Sequence, residues 1–169
     1  MNQLDLGDLS FIEGGHLLVK RAMGKINVGK EIVICGISRT PFGSFNGQLS
    51  KISAPQLAAH AISGLFSGLE IDQAVVDEVI LGNVLSAGIG QAPARQASIN
   101  ANLSNKVECL TINKMCGSGL KAVMLGAQSI YSNDSNIAIV GGMENMSLAP
   151  YYLERSRKNM VFGVGGNHG

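Results

Sequence analysis

A chain of 169 residues is long enough for one domain with its own core. Hydrophobic residues make up 46% and charged residues 15%, which separates it from disordered chains. With 13 basic against 12 acidic residues and a formal net charge of +1, nothing in the electrostatics recruits nucleic acid or an anionic membrane.

Three cysteines, Cys35, Cys109 and Cys116, cannot all pair and show no CxxC spacing, so a reduced, intracellular compartment is the simplest expectation. No apolar run reaches the length of a membrane span. Asp5, Asp8 and Glu13, with no early basic residue, fit neither a secretory signal nor an acid-poor transit peptide. Lys20, Arg21, Lys25 and Lys30 leave a weak mitochondrial presequence open, so cytoplasm and mitochondrion both stand. Asn167-His168-Gly169 is not a peroxisomal address. No metal site is expected: Met115, Met124, Met143 and Met146 are read as packing residues rather than a ligand set.

Residues 1–29 show no sustained periodicity and read as an N-terminal extension. Glu31 to Ile37 is a buried strand, ended by Arg39-Thr40-Pro41. Phe42 to Ser50 is a loop. Ser53 caps a helix with Pro55 in its first turn and Leu57, Ala61, Ile62 and Leu65 on one stripe. Asp77 to Val84 is a second strand, Gly88 to Gln91 a turn, and Ala92 to Leu103 a helix. Val107 to Ile112, with its β-branched residues, is a third strand.

From about Cys116 to Tyr131 a helix places Leu120, Val123, Met124, Ala127, Ile130 and Tyr131 at i, i+3, i+4, i+7 spacing. Ala122 and Leu125 flank that stripe, which predicts a helix buried nearly all round. Asn136 to Gly142 is a fourth strand, and Met143 to Pro150 a loop. This alternation predicts an α/β layered fold with crossover connections and a mostly parallel sheet.

The chemistry concentrates at Cys116, between a strand and a helix. An unperturbed thiol is mostly protonated at neutral pH. A helix N-terminus favours the thiolate by about 0.3–1 kcal/mol, which primes the sulfur and leaves full activation to a neighbouring base. Gly117 and Gly119 each cost about 1 kcal/mol of helix propensity, a cost that close approach of a ligand to the backbone would explain. A carbonyl held against the sulfur would direct its oxygen at backbone N–H groups of that turn, including that of Cys116. Taken alone, Cys-Gly-Ser-Gly is better read as an inert buried thiol in a strand-to-helix turn, since free cysteine is usually inert core. A phosphate cradle is disfavoured, since GxGxxG spacing and a GKS/T end are absent.

Four separated runs, within the segment from about Glu31 to Tyr152, narrow this. They are Ser38-Arg39-Thr40-Pro41-Phe42-Gly43-Ser44-Phe45-Asn46-Gly47, Gly90-Gln91-Ala92-Pro93-Ala94-Arg95-Gln96-Ala97, Asn113-Lys114-Met115-Cys116-Gly117-Ser118-Gly119-Leu120-Lys121-Ala122 and Gly141-Gly142-Met143-Glu144-Asn145-Met146-Ser147. In that order they resemble the N-terminal half of the thiolases, most closely the acetyl-CoA acetyltransferases.

The resemblance implies a layered fold of two similar α/β halves, each with a five-stranded mixed sheet around buried helices. It implies transfer of acyl groups carried on coenzyme A, with the residue matching Cys116 as the nucleophile that becomes a thioester. Coenzyme A thioesters are then substrates, with no tightly bound cofactor, and the residues that hold coenzyme A are unassigned. Pairing through the strand near Val107–Ile112 into homodimers or tetramers is implied as well.

The family's activating histidine, its second cysteine and its asparagine-linked oxyanion site come from the C-terminal half, and no residue here matches them. The fifth strand of the family's N-terminal half also lies downstream. The implied organisation is an extension over 1–29, an incomplete thiolase N-terminal domain over 30–149 and the start of a loop domain over 150–169. Such a fragment supports little or no turnover by itself. The alternatives are a catalytically inactive thiolase-like binding or interaction protein or truncated gene product, and a ketoacyl-synthase-type condensing enzyme.

Other residues receive plainer readings. Cys35 and Cys109 are core residues in strands, and His60 is an ordinary helix residue. His16 has no role, and His168 is too near the end to serve Cys116. Lys121 is a solvated or structural lysine, and Arg95 has a packing or interface role. Glu144 and Asn145 follow a strand end, where both function and turn stabilisation occur.

Overall fold

The computed structural model describes residues 16–21, 31–69 and 71–151, with side chains described from residue 31 onward. Five strands form one sheet in the order β2-β1-β5-β3-β4, where β1 is His16–Arg21, β2 Ile32–Ser38, β3 Glu78–Gly82, β4 Glu108–Ile112 and β5 Ile137–Gly142. β3 runs parallel to both β4 and β5. β1 is antiparallel to both β2 and β5, so four strands point one way and β1 opposes them. The sheet is mixed and mostly parallel, as expected.

β1 falls inside the stretch read as an extension. Its apolar run, Leu17-Leu18-Val19, is bounded by His16 and by Lys20-Arg21, and so short a pattern does not by itself set the strand apart from the surrounding stretch. Pairing on both sides supplies what local pattern lacks. The other residues of 1–29, and the residues from 152 onward, expected to begin a loop domain, lie outside the described residues, His168 among them.

Helix α1 spans Ala54–Ser67, and its start is dictated locally. The Ser53 hydroxyl accepts from the Gln56 N–H at 3.4 Å, while Gln56 Oε1 accepts from the Ser53 N–H at 3.0 Å. This reciprocal box satisfies two otherwise orphaned donors. Ser53→Ala is expected to lower stability by about 1 kcal/mol, a fall of about 2–4 °C in Tm by thermal melting.

Helix α2, Pro93–Asn100, has no side-chain cap of its own. Thr111 on β4 serves instead, its hydroxyl accepting from the Ala94 N–H at 2.9 Å. The helix ends three residues short of the predicted Leu103, where Ala101 and Asn102 turn the chain.

α1 and α2 cover one face of the sheet, burying Ile62, Leu65 and Ala97 with Val79, Leu81 and Ile139. Helix α3, Ser118–Ser132, covers the other with Ala122 and Ile130 against Ile80, Ala138 and Val140. β3 and β5 are consequently apolar on both faces, the pattern of a covered parallel sheet.

α3 departs from the predicted stripe. Its buried face is Ser118, Ala122, Gly126 and Ile130, while Leu120, Met124 and Tyr131 are exposed. The cause is distance. A Cβ on Gly126 would lie 2.5 Å from Val140 Cγ1, so the helix sits where only small residues fit. The helix is buried on that face rather than nearly all round.

Candidate active site

The carboxyl ends of the four co-directed strands gather their loops on one side of the sheet. Ligands of open α/β sheets bind at such an edge. Cys116 lies here, in the link from β4 to α3, and is exposed. It precedes the helix by two residues, since Gly117 is the cap and Ser118 the first helical position. The predicted start near Cys116 is thus displaced by two residues, which puts the thiol ahead of the helix end.

The link is a tight turn with a strained centre. Met115 has φ 50°, a left-handed conformation that costs a non-glycine residue about 1–3 kcal/mol and persists only when surrounding bonds enforce it. Those bonds are present. Asn113 Oδ1 accepts from the Met115 N–H at 3.0 Å, and Ser118 Oγ accepts from the Lys114 N–H at 2.8 Å. The Ser118 hydroxyl donates to the Met115 carbonyl. Asn113 Nδ2 also reaches the Val84 carbonyl at 3.4 Å, tying the turn to the loop after β3.

Two amides of this turn are occupied in the resting fold. Gly117 N–H donates to the Lys114 carbonyl at 3.1 Å and Ser118 N–H to the Met115 carbonyl at 3.0 Å. They are not the acceptor-seeking donors that the sequence placed there.

Glu144 and Asn145 organise the neighbouring loops. The Glu144 carboxylate accepts from Asn83 Nδ2 at 2.9 Å and from the Val84 N–H at 2.8 Å. Asn145 Nδ2 donates to the carbonyls of Leu49, Ser50 and Ile52 at 3.2, 3.2 and 2.6 Å. Ser147 Oγ accepts from the Asn46 N–H at 2.9 Å. The Gly-Gly-Met-Glu-Asn-Met-Ser run is therefore a clasp on the loops after β2 and β3. Asn145→Ala is expected to cost about 1–3 kcal/mol, since it strips partners from a cluster of carbonyls. Urea unfolding would register this as a lower midpoint.

The remaining residues fall elsewhere. Arg95 donates from both terminal nitrogens to the carbonyls of Val107 and Asn105, a bracket on the entry to β4. Cys35 and Cys109 are half-buried against the α1–α2 core, and His60 is exposed on α1. Lys121 is half-buried in the first turn of α3. A cleft of about 830 Å³ lined by Glu78, Lys106, Glu108 and Asp134 lies at the opposite, amino end of the strands and does not include Cys116. Among the described residues no cluster of three or more His, Cys, Asp or Glu has metal-binding proximity.

Sequence reasoning missed Asn83, Asn113 and Ser118 as positioning residues. Asn113 carried a local signal, an Asx turn two residues ahead of Met115. Asn83 carried none, because its partner Glu144 is distant in sequence.

Comparison with known proteins bears on this geometry. Residues 32–169 match the model of the thiolase N-terminal domain: the chain belongs to the thiolase family. It is 50% identical over 134 residues to an acetyl-CoA acetyltransferase of Pseudomonas aeruginosa, an alignment covering 79% of this chain and 34% of that protein. It is 48% identical over 134 residues to acetyl-CoA acetyltransferase 2 of Arabidopsis thaliana, covering 79% of this chain and 33% of the relative. The crystal structure of the Acat5 thiolase from Ascaris suum in complex with coenzyme A superposes with a TM-score of 0.67 at 33% identity, covering 85% of this chain and 33% of that one. The chain thus spans about one third of the length of the relatives it matches. No helix among the described residues is long and apolar enough to cross a membrane.

Proposed function

We infer that this chain contributes the acyl-accepting part of an acetyl-CoA acetyltransferase, with Cys116 as nucleophile and coenzyme A thioesters as substrates. The observation that carries the reading is the exposed Cys116 thiol, held by an over-determined turn ahead of α3 within a domain whose relatives bear that name.

In the first step the Cys116 thiolate attacks the carbonyl carbon of acetyl-CoA. The carbonyl π electrons move to oxygen, and the Cys116 N–H stabilises the oxyanion. Collapse expels coenzyme A as its thiolate, which takes up a proton, and leaves an acetyl-cysteine. In the second step a base removes an α-proton from another acetyl-CoA. The resulting carbanion attacks the acetyl-cysteine carbonyl and expels the Cys116 thiolate, giving acetoacetyl-CoA. Thiolysis is the same path reversed.

The base and the second oxyanion site belong to the two thirds of the fold beyond this chain, so residues 1–169 alone support little turnover. Chains associate through β4, one of the two outer strands of the sheet, where Leu110 is 45% exposed. The test joins this chain to the remaining two thirds of a relative and mixes it with acetyl-CoA. Mass spectrometry is expected to find one acetyl group, on the peptide containing Cys116. Acetyl on another residue instead, or none, rejects the assignment.

A further inference from the structure

The half-buried Glu144 carboxylate sits where three N–H donors converge. The Val84 N–H lies 2.8 Å from Oε2, the Leu85 N–H 3.3 Å from both oxygens, and Asn83 Nδ2 2.9 Å from Oε1. Only a group that accepts at both atoms satisfies all three, and among side chains that is an ionised carboxylate. Asn83 is 2% exposed, and its amide is fixed because Nδ2 also serves the Met143 carbonyl at 3.2 Å. Its Oδ1 is left buried with no protein partner. An unpaired buried acceptor is a penalty that stability alone does not explain. The amide is there to hold the carboxylate.

What the carboxylate grips leads to the nucleophile. It fixes the start of the loop after β3, whose Val84 carbonyl accepts from Asn113 Nδ2 at 3.4 Å. Asn113 Oδ1 in turn accepts from the Met115 N–H at 3.0 Å. Met115 is the residue with φ 50°, and its torsions orient the rigid peptide unit that joins it to Cys116. That unit carries the Cys116 N–H. The direction of this N–H is therefore governed, through successive hydrogen bonds, by a side chain just beyond the end of β5.

We propose that Glu144 is a positioning residue for acyl transfer. Its carboxylate, acting through the Val84 carbonyl and Asn113, holds the Cys116 N–H in the direction that receives the oxyanion. This role rests on Cys116 being the nucleophile. An oxyanion donor is effective because it is aimed before the reaction begins. A left-handed Met115 relaxes toward the extended or helical regions once its enforcing bonds are lost. The longest link, 3.4 Å between Asn113 and Val84, is the one a small displacement of the loop breaks first.

Glu144→Gln isolates the effect. The new amide keeps an acceptor for the Val84 N–H, but its –NH2 faces the Asn83 Nδ2 donor, which Met143 holds in place. In the full chain, exchange of the Met115 amide hydrogen is expected to speed up at least about fivefold. Ser53→Ala weakens α1 away from this corner. It is expected to leave that rate within about twofold, because a turn amide exchanges by local opening. Equal exchange in the Glu144→Gln and unaltered chains overturns the proposal. In the polypeptide joined to the remaining two thirds of a relative, Glu144→Gln is expected to lower kcat about tenfold with KM held within about twofold. Asn113→Ala is expected to do the same, and the double variant to fall within about twofold of the lower single. Additive losses, unchanged kcat or a loss confined to KM overturns the proposal. Failure of the unaltered polypeptide to take acetyl on Cys116 rejects the nucleophile instead, so the two failures are told apart. Should Glu144→Gln fail to fold, exchange in the unaltered chain decides. The Val84 and Met115 amides are expected to open together, with the same urea dependence. Opening of Met115 while Val84 stays closed overturns the proposal.

Discussion

Cys116→Ala is expected to abolish acetyl transfer in a polypeptide carrying the whole thiolase fold, lowering kcat by at least about 10³-fold, as removal of a nucleophile does elsewhere. Stability is expected to move by no more than about 0.5 kcal/mol. The separation follows from where the residue sits. Cys116 is exposed, lies outside the helix and fills no core, so the turn that holds it does not depend on its side chain. Cys116→Ser is expected to fall nearly as far, because a hydroxyl near neutral pH lacks the thiolate's nucleophilicity. Steady-state condensation of acetyl-CoA, measured beside a thermal melt of each variant, separates the two effects. Loss of activity accompanied by a comparable loss of fold would mean that the thiol is structural, and unchanged activity would move the nucleophile elsewhere.

How far the sequence foretold this arrangement depends on the range of each interaction. The α1 start was legible because Ser53, Pro55 and Gln56 act within one turn of one another. β3 and β5 were legible as unbroken apolar runs, and the nucleophile segment as a strand followed by glycines and a helix. β1 was not, because its identity as a strand comes from β2 and β5 rather than from its own pattern.

The buried face of α3 was misread for a related reason. Periodicity reports where large apolar residues recur, and here the sheet-facing positions are small, while Leu120 and Met124 are exposed. The role of Glu144 and Asn145 remained open at sequence level, since their partners lie in the loops after β3 and β2.

Gly82→Ala tests the same close packing where it meets the chemistry. At an unstrained position this substitution stabilises by about 0.4–1 kcal/mol, through a less flexible unfolded chain. Here the expected sign is reversed. A Cβ on Gly82, the last residue of β3, would lie 2.5 Å from Ser118 Cβ, 2.8 Å from the Ser118 carbonyl carbon and 3.0 Å from the Gly119 nitrogen. Two of those atoms are backbone, so no rotamer change relieves the clash and the start of α3 must move. Overpacking of this kind costs about 1–3 kcal/mol, or about 2–12 °C in Tm for a chain of this size. Because Ser118 also braces Lys114 and Met115, that movement is transmitted to the turn bearing Cys116. Its rate of modification by a small alkylating reagent is therefore expected to change along with Tm. Gly68→Ala provides the contrast. Gly68 caps α1 with φ −108° and has nothing within 4 Å of an added Cβ, so this variant is expected to hold or raise Tm and leave the Cys116 rate unchanged. Equal behaviour of the two alanines would mean that α3 does not approach β3 as closely as the fold requires.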